Sequence, residues 1–301
     1  MSALLVTRRG AINAWECDQW GHMNVQFYLA KASDAQAALA ASLGLGPSRL
    51  RQAGQGVLTV ADRILFKREL RAGDTFCVHS GVRGIAADGT LDFASRMTNT
   101  ESGLEAASFE TRARLIDLSS GQALRWPADA LARAQELTGE PLDVPPPKPM
   151  AHAQPPVRDL DRLILSYRGS IESWECEEGG IVPPRFHIAR FADCANHLFR
   201  ELGLNKASMR ANNLGSAALD YEIDYHRPMR VGQVVETRSG MLDAGEKVFH
   251  FFHHLIDSSS GDLITSIVVA ALFFDLVARK SVAMPEPVRA RAERLIATSM
   301  G

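Results

Sequence analysis

The hydrophobic positions of this chain first follow a helical spacing and then give way to short strand-like segments. Residues 25–43 place apolar side chains at three- and four-residue steps, at Tyr28, Leu29, Ala32, Ala35 and Leu39. This spacing predicts an amphipathic helix that ends at Gly44. Strands are predicted over 61–66, 75–82, 90–99 and 105–118, with turns rich in Gly, Asp and Ser between them. A strand ending at Trp15, one long helix and a run of antiparallel strands give an α+β fold class.

The same order of elements occurs a second time along the chain. Trp15 corresponds to Trp174 (174 − 15 = 159), and residues 10–45 align with 169–204 without a gap. Identities in the first copy fall at Gly10, Ile12, Trp15, Glu16, Cys17, Gly21, Phe27, Ala30, Asp34, Leu39, Leu43, Gly44 and Leu45. After one small gap the offset becomes 158, and matches continue to Pro285. Internal repetition of this length predicts two copies of one structural unit.

A proline-rich segment separates the two copies. It includes Pro145, Pro146, Pro147 and Pro149, and two further prolines follow at 155 and 156. Proline at this density is typical of a stiff extended tether. We therefore predict a first domain at 1–140, a linker at 141–160 and a second domain at 161–301.

Composition and charge exclude several classes of protein. The net charge of −2 comes without a long basic run, so nucleic acid is not an expected partner. The most apolar segment, residues 263–274, has about half the length of a membrane-spanning helix and is interpreted as a buried strand. The N-terminus lacks the apolar stretch of a signal peptide. We predict a protein without membrane association.

The cysteines and histidines do not form a predicted metal site. The four cysteines include no CxxC pair, which favours reduced thiols and a cytoplasmic location. His250, His253 and His254 are close in sequence, but neighbouring side chains of a strand point to opposite faces. Neither a metal nor a redox cofactor is expected.

The segment before the long helix carries the most specific motif of the chain. Asp18, Gly21, His22, Asn24 and Tyr28 follow the pattern Asp-x-x-Gly-His-x-Asn-x-x-x-Tyr. With a strand before it and an antiparallel sheet after it, this pattern resembles the hotdog-fold acyl-CoA thioesterases. The branches that it resembles are the 4-hydroxybenzoyl-CoA thioesterase type and its acyl-ACP thioesterase relatives.

This resemblance implies two tandem hotdog domains, each an antiparallel sheet wrapped around one long helix. Single hotdog units of this kind pair to form their active sites between subunits. A tandem chain would therefore place its site at the interface of its two repeats. The implied substrate is an acyl-CoA, with coenzyme A as part of the substrate and no separate cofactor.

The motif residues suit thioester hydrolysis. Asp18 can act as a general base toward water, or it can attack the thioester directly. The N–H groups of the first helical turn lack intrahelical partners and can stabilise an oxyanion, which makes the Val25 amide a candidate donor. Asn24 can orient water or fix the loop, and His22 either holds the loop or transfers protons. The alternative for Asp18 is a helix N-cap.

Three further residues are candidates for substrate binding. Gly21 allows the backbone to approach a ligand closely. Tyr28 either contacts the substrate or packs in the core. Arg68 is suited to the phosphates of coenzyme A, and the alternative is a solvated charge at a strand end, as for its counterpart Arg227.

The second copy departs from the motif at its polar positions. Glu177 replaces Asp18, whereas Ile181, Pro183 and Pro184 replace His22, Asn24 and Val25. Because proline has no N–H, Pro184 cannot supply the donor proposed for Val25. We predict a degenerate second site at Glu177 and His187 that is inactive or weak. The alternative is that Glu177 remains active with altered geometry, supported by His187 at the position of Tyr28.

The predicted function is therefore an acyl-CoA thioesterase led by Asp18. The enzyme alternatives are an acyl-ACP thioesterase and a hotdog enoyl-thioester hydratase, and the non-enzyme alternative is an acyl-CoA binding protein. In the last strand of the second copy, Val268, Ala270 and Leu272 replace polar residues of the first copy. Burial of both faces of this strand is expected, either within the chain or in a homo-oligomer, a dimer of double hotdogs.

Overall fold

The computed structural model describes residues 4–138, 144 and 159–300, so most of the tether predicted at 141–160 lies outside the described residues. The chain divides into two compact units, Met1–Lys148 and Pro149–Gly301. The narrower domain limits at 140 and 161 stay predictions.

The first unit is an antiparallel sheet with one long helix packed on it. Its strands and helices are β1 (Leu5–Ala11), α1 (Val25–Ser42), α2 (Pro47–Ala53), β2 (Gln55–Phe66), β3 (Thr75–Ile85), β4 (Leu91–Asn99), β5 (Glu105–Asp117), β6 (Ala123–Leu124) and α3 (Ala128–Thr138). The strand order is β1-β3-β4-β5-β2, and β6 pairs with β5. Helix α1 packs against β1, β3 and β4.

The second unit repeats this arrangement. Its elements are β7 (Ile164–Ser170), α4 (Pro184–Glu201), α5 (Lys206–Ala211), β8 (Leu214–Tyr225), β9 (Val234–Ala244), β10 (Val248–Asp257), β11 (Leu263–Asp275), β12 (Ser281–Val282) and α6 (Glu286–Met300). The strand order is β8-β11-β10-β9-β7, and β12 pairs with β11. The α+β class and the tandem hotdog repeat are thus confirmed.

The long helix lies where its apolar spacing predicted it, and all five of the predicted core positions are buried: Tyr28, Leu29, Ala32, Ala35 and Leu39. Strand β2 is longer than predicted, because it begins at Gln55 and not at Ala61. Gly56 explains part of this difference, since a Cβ there would lie 2.8 Å from the Leu118 side chain. A glycine in a strand weakens the sequence signal for that strand, even where close packing requires it.

A buried ion pair fixes the start of the long helix in each unit. Lys31 Nζ lies 2.6 Å from Glu16 Oε1 in the first unit, and Arg190 Nη2 lies 2.9 Å from Glu175 Oε2 in the second. Although burial opposes the ionisation of Glu16, the Asn13 N–H and the Lys31 ammonium lower the pKa of its carboxyl below its usual range. The ion pair joins the turn before the motif to the helix after it. The shared Glu therefore serves the fold of both copies.

The last long strand of the second unit is buried on both faces, which confirms that prediction. Val268 and Ala270 are buried, and Leu272 is half-buried. Val268 forms an apolar cluster with Leu242 and Phe252, against which Leu163 packs. Residues of the second unit itself therefore cover part of this face.

The two neighbouring histidines of β10 point to opposite faces of the sheet, as the strand alternation predicted. His253 stacks on Phe191 of α4, whereas the ring of His254 lies 4.9 Å from that of Phe252. Within the described ranges, no group of three or more His, Cys, Asp or Glu side chains is arranged to hold a metal ion. The same ranges include no helix long and apolar enough to cross a membrane.

Two buried histidines are expected to make the second unit sensitive to acid. Burial, with a smaller contribution from Arg190, lowers the pKa of His187 from 6.5 to about 3, and burial lowers the pKa of His253 equally. Between these values the unfolded chain binds protons that the folded chain does not. The free energy of unfolding should therefore fall as the pH drops below 6.5, by about 1.4 kcal/mol per pH unit for each histidine.

This acid sensitivity is measurable by hydrogen exchange of the β10 amides, corrected for the intrinsic exchange rates. The first unit indicates which residues can replace the two histidines, because Tyr28 and Ser95 occupy the positions of His187 and His253. His187→Tyr and His253→Ser should each flatten the dependence of protection on pH. An unchanged dependence in both variants would contradict the assignment.

Candidate functional site

A tight loop between β1 and α1 carries the motif of the first unit. The Asp18 N–H donates to the His22 carbonyl at 2.7 Å, and the Gly21 N–H donates to the Asp18 carbonyl at 3.0 Å. Gly21 has a φ of +82°, a conformation that side chains rarely adopt. Cys17 and Met23 pair through their backbones as an isolated antiparallel β-bridge across the base of the loop. The loop is therefore closed by its own backbone.

The Asp18 carboxylate is half-buried. Its Oδ1 accepts the Trp20 N–H at 2.8 Å and the His22 N–H at 3.3 Å. Among the hydrogen bonds of the described residues, both bonds to this carboxylate end on Oδ1. The second oxygen, Oδ2, accepts no hydrogen bond from the residues that the structure describes.

The N-cap of α1 is Asn24, so the alternative that Asp18 caps the helix is wrong. Asn24 Oδ1 accepts the Gln26 N–H at 3.1 Å, and the Asn24 carbonyl accepts the Phe27 N–H at 2.9 Å. Val25 is the first residue of the helix. In the described part of the chain, the Val25 N–H has no acceptor. It can therefore donate a hydrogen bond to a ligand.

The segment 68–71, which follows β2, fastens the loop to the helix. The Tyr28 hydroxyl donates to the Arg68 carbonyl at 3.3 Å and accepts the Leu70 N–H at 3.2 Å. The Met23 N–H donates to the Leu70 carbonyl at 2.7 Å. Burial raises the pKa of Tyr28. These bonds give the buried Tyr28 a structural role. This favours packing in the core over contact with the substrate, the two alternatives that the sequence left open for this residue.

The side chain of His22 contacts the same segment. Its Nε2 lies 3.2 Å from Glu69 Oε2 and 3.3 Å from Arg71 Nη2. Reasoning from the sequence missed Glu69, which is 47 positions from His22 (69 − 22 = 47). A signal for Glu69 was available in the second copy, in which Pro228 stands at the position of Glu69 and Ile181 at the position of His22.

The two strand-end arginines differ in their surroundings. Arg227 Nη1 lies 2.6 Å from Asp262 Oδ2. Arg68 is exposed, and within the described residues its side chain forms no ion pair. The Arg68 guanidinium is therefore accessible to an anionic ligand, and its counterpart is neutralised.

The second unit keeps the backbone of the loop. The Glu177 N–H donates to the Ile181 carbonyl at 2.9 Å, and the Gly180 N–H donates to the Glu177 carbonyl at 3.1 Å. Helix α4 begins at Pro184, which aligns with Val25, and its N-cap Pro183 provides no side-chain bond. Glu177 is exposed, in contrast to the half-buried Asp18. The backbone of the loop and a carboxylate are retained, whereas the side chains of His22 and Asn24 and the Val25 N–H have no counterpart.

His187 of the degenerate site lies inside the second unit. Its Nδ1 is 2.7 Å from Thr265 Oγ1, and its ring packs edge-on against Tyr225. With 3% of its surface exposed, the ring occupies the position that Tyr28 has in the first unit. The structure thus places Asp18, His22, Asn24 and Val25 in one loop and helix start, whereas His187 belongs to the core.

Comparison with known proteins gives one family and related structures. The model of the thioesterase-like superfamily matches residues 12–134 and again residues 171–292. A curated relative, the L-carnitine dehydrogenase/betainyl-CoA thioesterase of Rhizobium meliloti (strain 1021), is 26% identical over 145 residues, or 48% of this chain. The match covers 28% of that relative's length.

Two solved structures share the fold over most of the chain. The 12:0-ACP thioesterase from Umbellularia californica has a TM-score of 0.70 at 11% identity and covers 91% of this chain and 99% of its own. An acyl-ACP thioesterase from Bacteroides thetaiotaomicron VPI-5482 has a TM-score of 0.65 at 13% identity, covering 90% of this chain and 98% of its own. At these identities the likeness concerns the fold.

Proposed function

The chain belongs to the thioesterase-like superfamily, whose model matches both of its repeats, and we propose that it hydrolyses an acyl-CoA to a free acid and coenzyme A. The observation that carries this proposal is the loop of the first unit. There, among the residues that the structure describes, the Asp18 carboxylate accepts hydrogen bonds through Oδ1 alone and precedes a helix start whose Val25 N–H has no acceptor.

The proposed chemistry uses these two groups. Asp18 Oδ2 either takes a proton from water as the water oxygen adds to the thioester carbonyl, or bonds to that carbon itself. In the second route water then hydrolyses the resulting anhydride and restores the carboxylate. The Val25 N–H donates to the carbonyl oxygen as it becomes an oxyanion. When the C–S bond breaks, the sulfur leaves as a thiolate and takes a proton.

Two observations favour coenzyme A as the thiol. The name of the curated relative includes betainyl-CoA thioesterase, which makes betainyl-CoA a first substrate to test. The exposed Arg68 offers a guanidinium for the phosphates of coenzyme A. An acyl-ACP is the second candidate, because two structures of this fold are named for ACP substrates. Formation of the site by both repeats, a homo-oligomer and a cytoplasmic location stay predictions.

A panel of thioesters tests the proposed function. Free thiol release is measured with betainyl-CoA, short and long aliphatic acyl-CoAs, an aromatic acyl-CoA and an acyl-ACP, and water addition to the double bond is measured with an enoyl-CoA. We expect turnover of at least one acyl-CoA. Binding without release would favour a non-catalytic acyl-CoA binding protein, turnover of acyl-ACP alone would favour the carrier protein, and hydration of an enoyl-CoA would favour a hydratase.

A further inference from the structure

Two oppositely charged side chains contact one ring nitrogen of His22. Glu69 Oε2 lies 3.2 Å from Nε2, and Arg71 Nη2 lies 3.3 Å from the same atom. Glu69 and Arg71 are themselves 3.4 Å apart. The His22 side chain is 15% exposed, against 31% for Glu69 and 55% for Arg71, so the ring is the most enclosed of the three.

These two contacts require different states of the ring. When Nε2 carries a hydrogen, it can donate to the Glu69 carboxylate. When Nε2 is bare, it can accept from the Arg71 guanidinium, and the hydrogen of the neutral ring is then on Nδ1. Glu69 therefore favours a protonated Nε2, and Arg71 opposes it.

The second repeat serves as an internal comparison for this arrangement. Ile181 and Pro228 stand at the positions of His22 and Glu69, so the histidine and its carboxylate are absent together. Arg71 is retained as Arg230, whose Nη1 donates to the Gly179 carbonyl at 3.4 Å. The arginine is therefore compatible with a loop that has no histidine, whereas Glu69 is present only in the repeat that has one.

His22 is also joined directly to the proposed catalytic carboxylate. Its N–H donates to Asp18 Oδ1, and its carbonyl accepts the Asp18 N–H. The residue that carries the ring is therefore joined to Asp18 by one backbone–backbone bond and one backbone–carboxylate bond. We propose that Glu69 is a positioning residue for the reaction, which keeps a hydrogen on His22 Nε2 and so holds the ring against the Asp18 loop, whereas Arg71 favours the bare nitrogen.

This inference rests on the proposed function only for its effect on turnover. The other charged or titratable groups of the surrounding elements include Asp18 and Cys17 of the loop, Tyr28 of α1, Arg68 of the segment itself, and Asp74, whose Oδ2 accepts the Arg71 N–H at 2.8 Å. Glu69, Asp74 and Cys17 all act electrostatically on Tyr28. The variants below leave Asp18, Cys17, Tyr28 and Asp74 unchanged.

The first test is an NMR titration of the His22 ring, assigned by comparison with His22→Gln. Glu69→Gln keeps an acceptor but removes the negative charge, so the titration midpoint should fall by roughly 0.5 pH unit. Arg71→Met removes the positive charge, so the midpoint should rise by roughly the same amount. Arg230→Met, the matched change in the second unit, should leave it unchanged. Shifts of equal sign, or none, would overturn the proposal.

The second test is the dependence of kcat on pH with a thioester that the enzyme turns over. The limb of the kcat–pH profile that follows the titration of His22 should move to lower pH in Glu69→Gln and to higher pH in Arg71→Met. In Glu69→Asp, which keeps the negative charge, the limb should lie closer to its wild-type position than in Glu69→Gln. A uniform loss of activity without movement of the limb would assign Glu69 a purely structural role. If no thioester is turned over, the proposed function fails, whereas the titration still decides the inference.

Discussion

Replacing Val25 with proline should lower kcat for thioester hydrolysis by about 10²–10³-fold, the usual effect of losing one oxyanion donor. Proline has no N–H, and its fixed φ suits the first position of a helix, so the change removes the donor without breaking α1. The second unit already has this arrangement, since α4 begins at Pro184. The measurement is kcat with a thioester that the wild-type protein hydrolyses.

The reciprocal change, Pro184→Val, is the matched control. It restores an N–H to a loop that lacks the polar residues of the first unit, so kcat should stay within about twofold of wild type. Urea unfolding of both variants establishes that the fold is retained. If Val25→Pro retains full activity while folded, the oxyanion donor is another group.

Replacing Asp18 with asparagine should lower kcat by about 10²–10⁴-fold, the range expected for loss of a general base. Asparagine Oδ1 can still accept the Trp20 and His22 N–H groups, so the loop should keep its conformation. The amide at the other position can neither take a proton from water nor attack the thioester. The measurement is thiol release at saturating substrate, together with KM, which should change far less than kcat.

Folding of the Asp18 variant needs its own control, because this side chain bonds the loop backbone. The unfolding midpoint of Asp18→Asn should match that of wild type, whereas Asp18→Ala should lose both bonds and some stability. Normal activity in a folded Asp18→Asn protein would exclude Asp18 as base and as nucleophile.

The two-unit architecture and the position of the long helix could be predicted from the sequence, because the repeat and the helical spacing are visible in the order of the residues. Helix α1 begins at Val25 as predicted, and α4 begins 159 residues later, at Pro184. The role of the cap was not predictable, since Asp18 and Asn24 are both good N-cap residues. Only the path of the backbone shows that the helix starts after Asn24 and that Asp18 bonds the loop.

Contacts between segments that are distant in the chain could not be predicted from the sequence. Glu69 meets His22 only because the segment after β2 returns to the loop before α1, which is a property of the tertiary fold. His187 was predicted as part of a degenerate site because it aligns with Tyr28. Its hydrogen bond to Thr265 depends on β11, 78 residues further along the chain.

We expect one of the two similar repeats to perform the chemistry. The most direct test compares Asp18→Asn with Glu177→Gln, the corresponding change in each repeat, by thiol release from the same acyl-CoA. We expect kcat to fall by at least about 10²-fold for Asp18→Asn and to stay within about twofold of wild type for Glu177→Gln. Loss of turnover in Glu177→Gln, with Asp18→Asn still active, would contradict it.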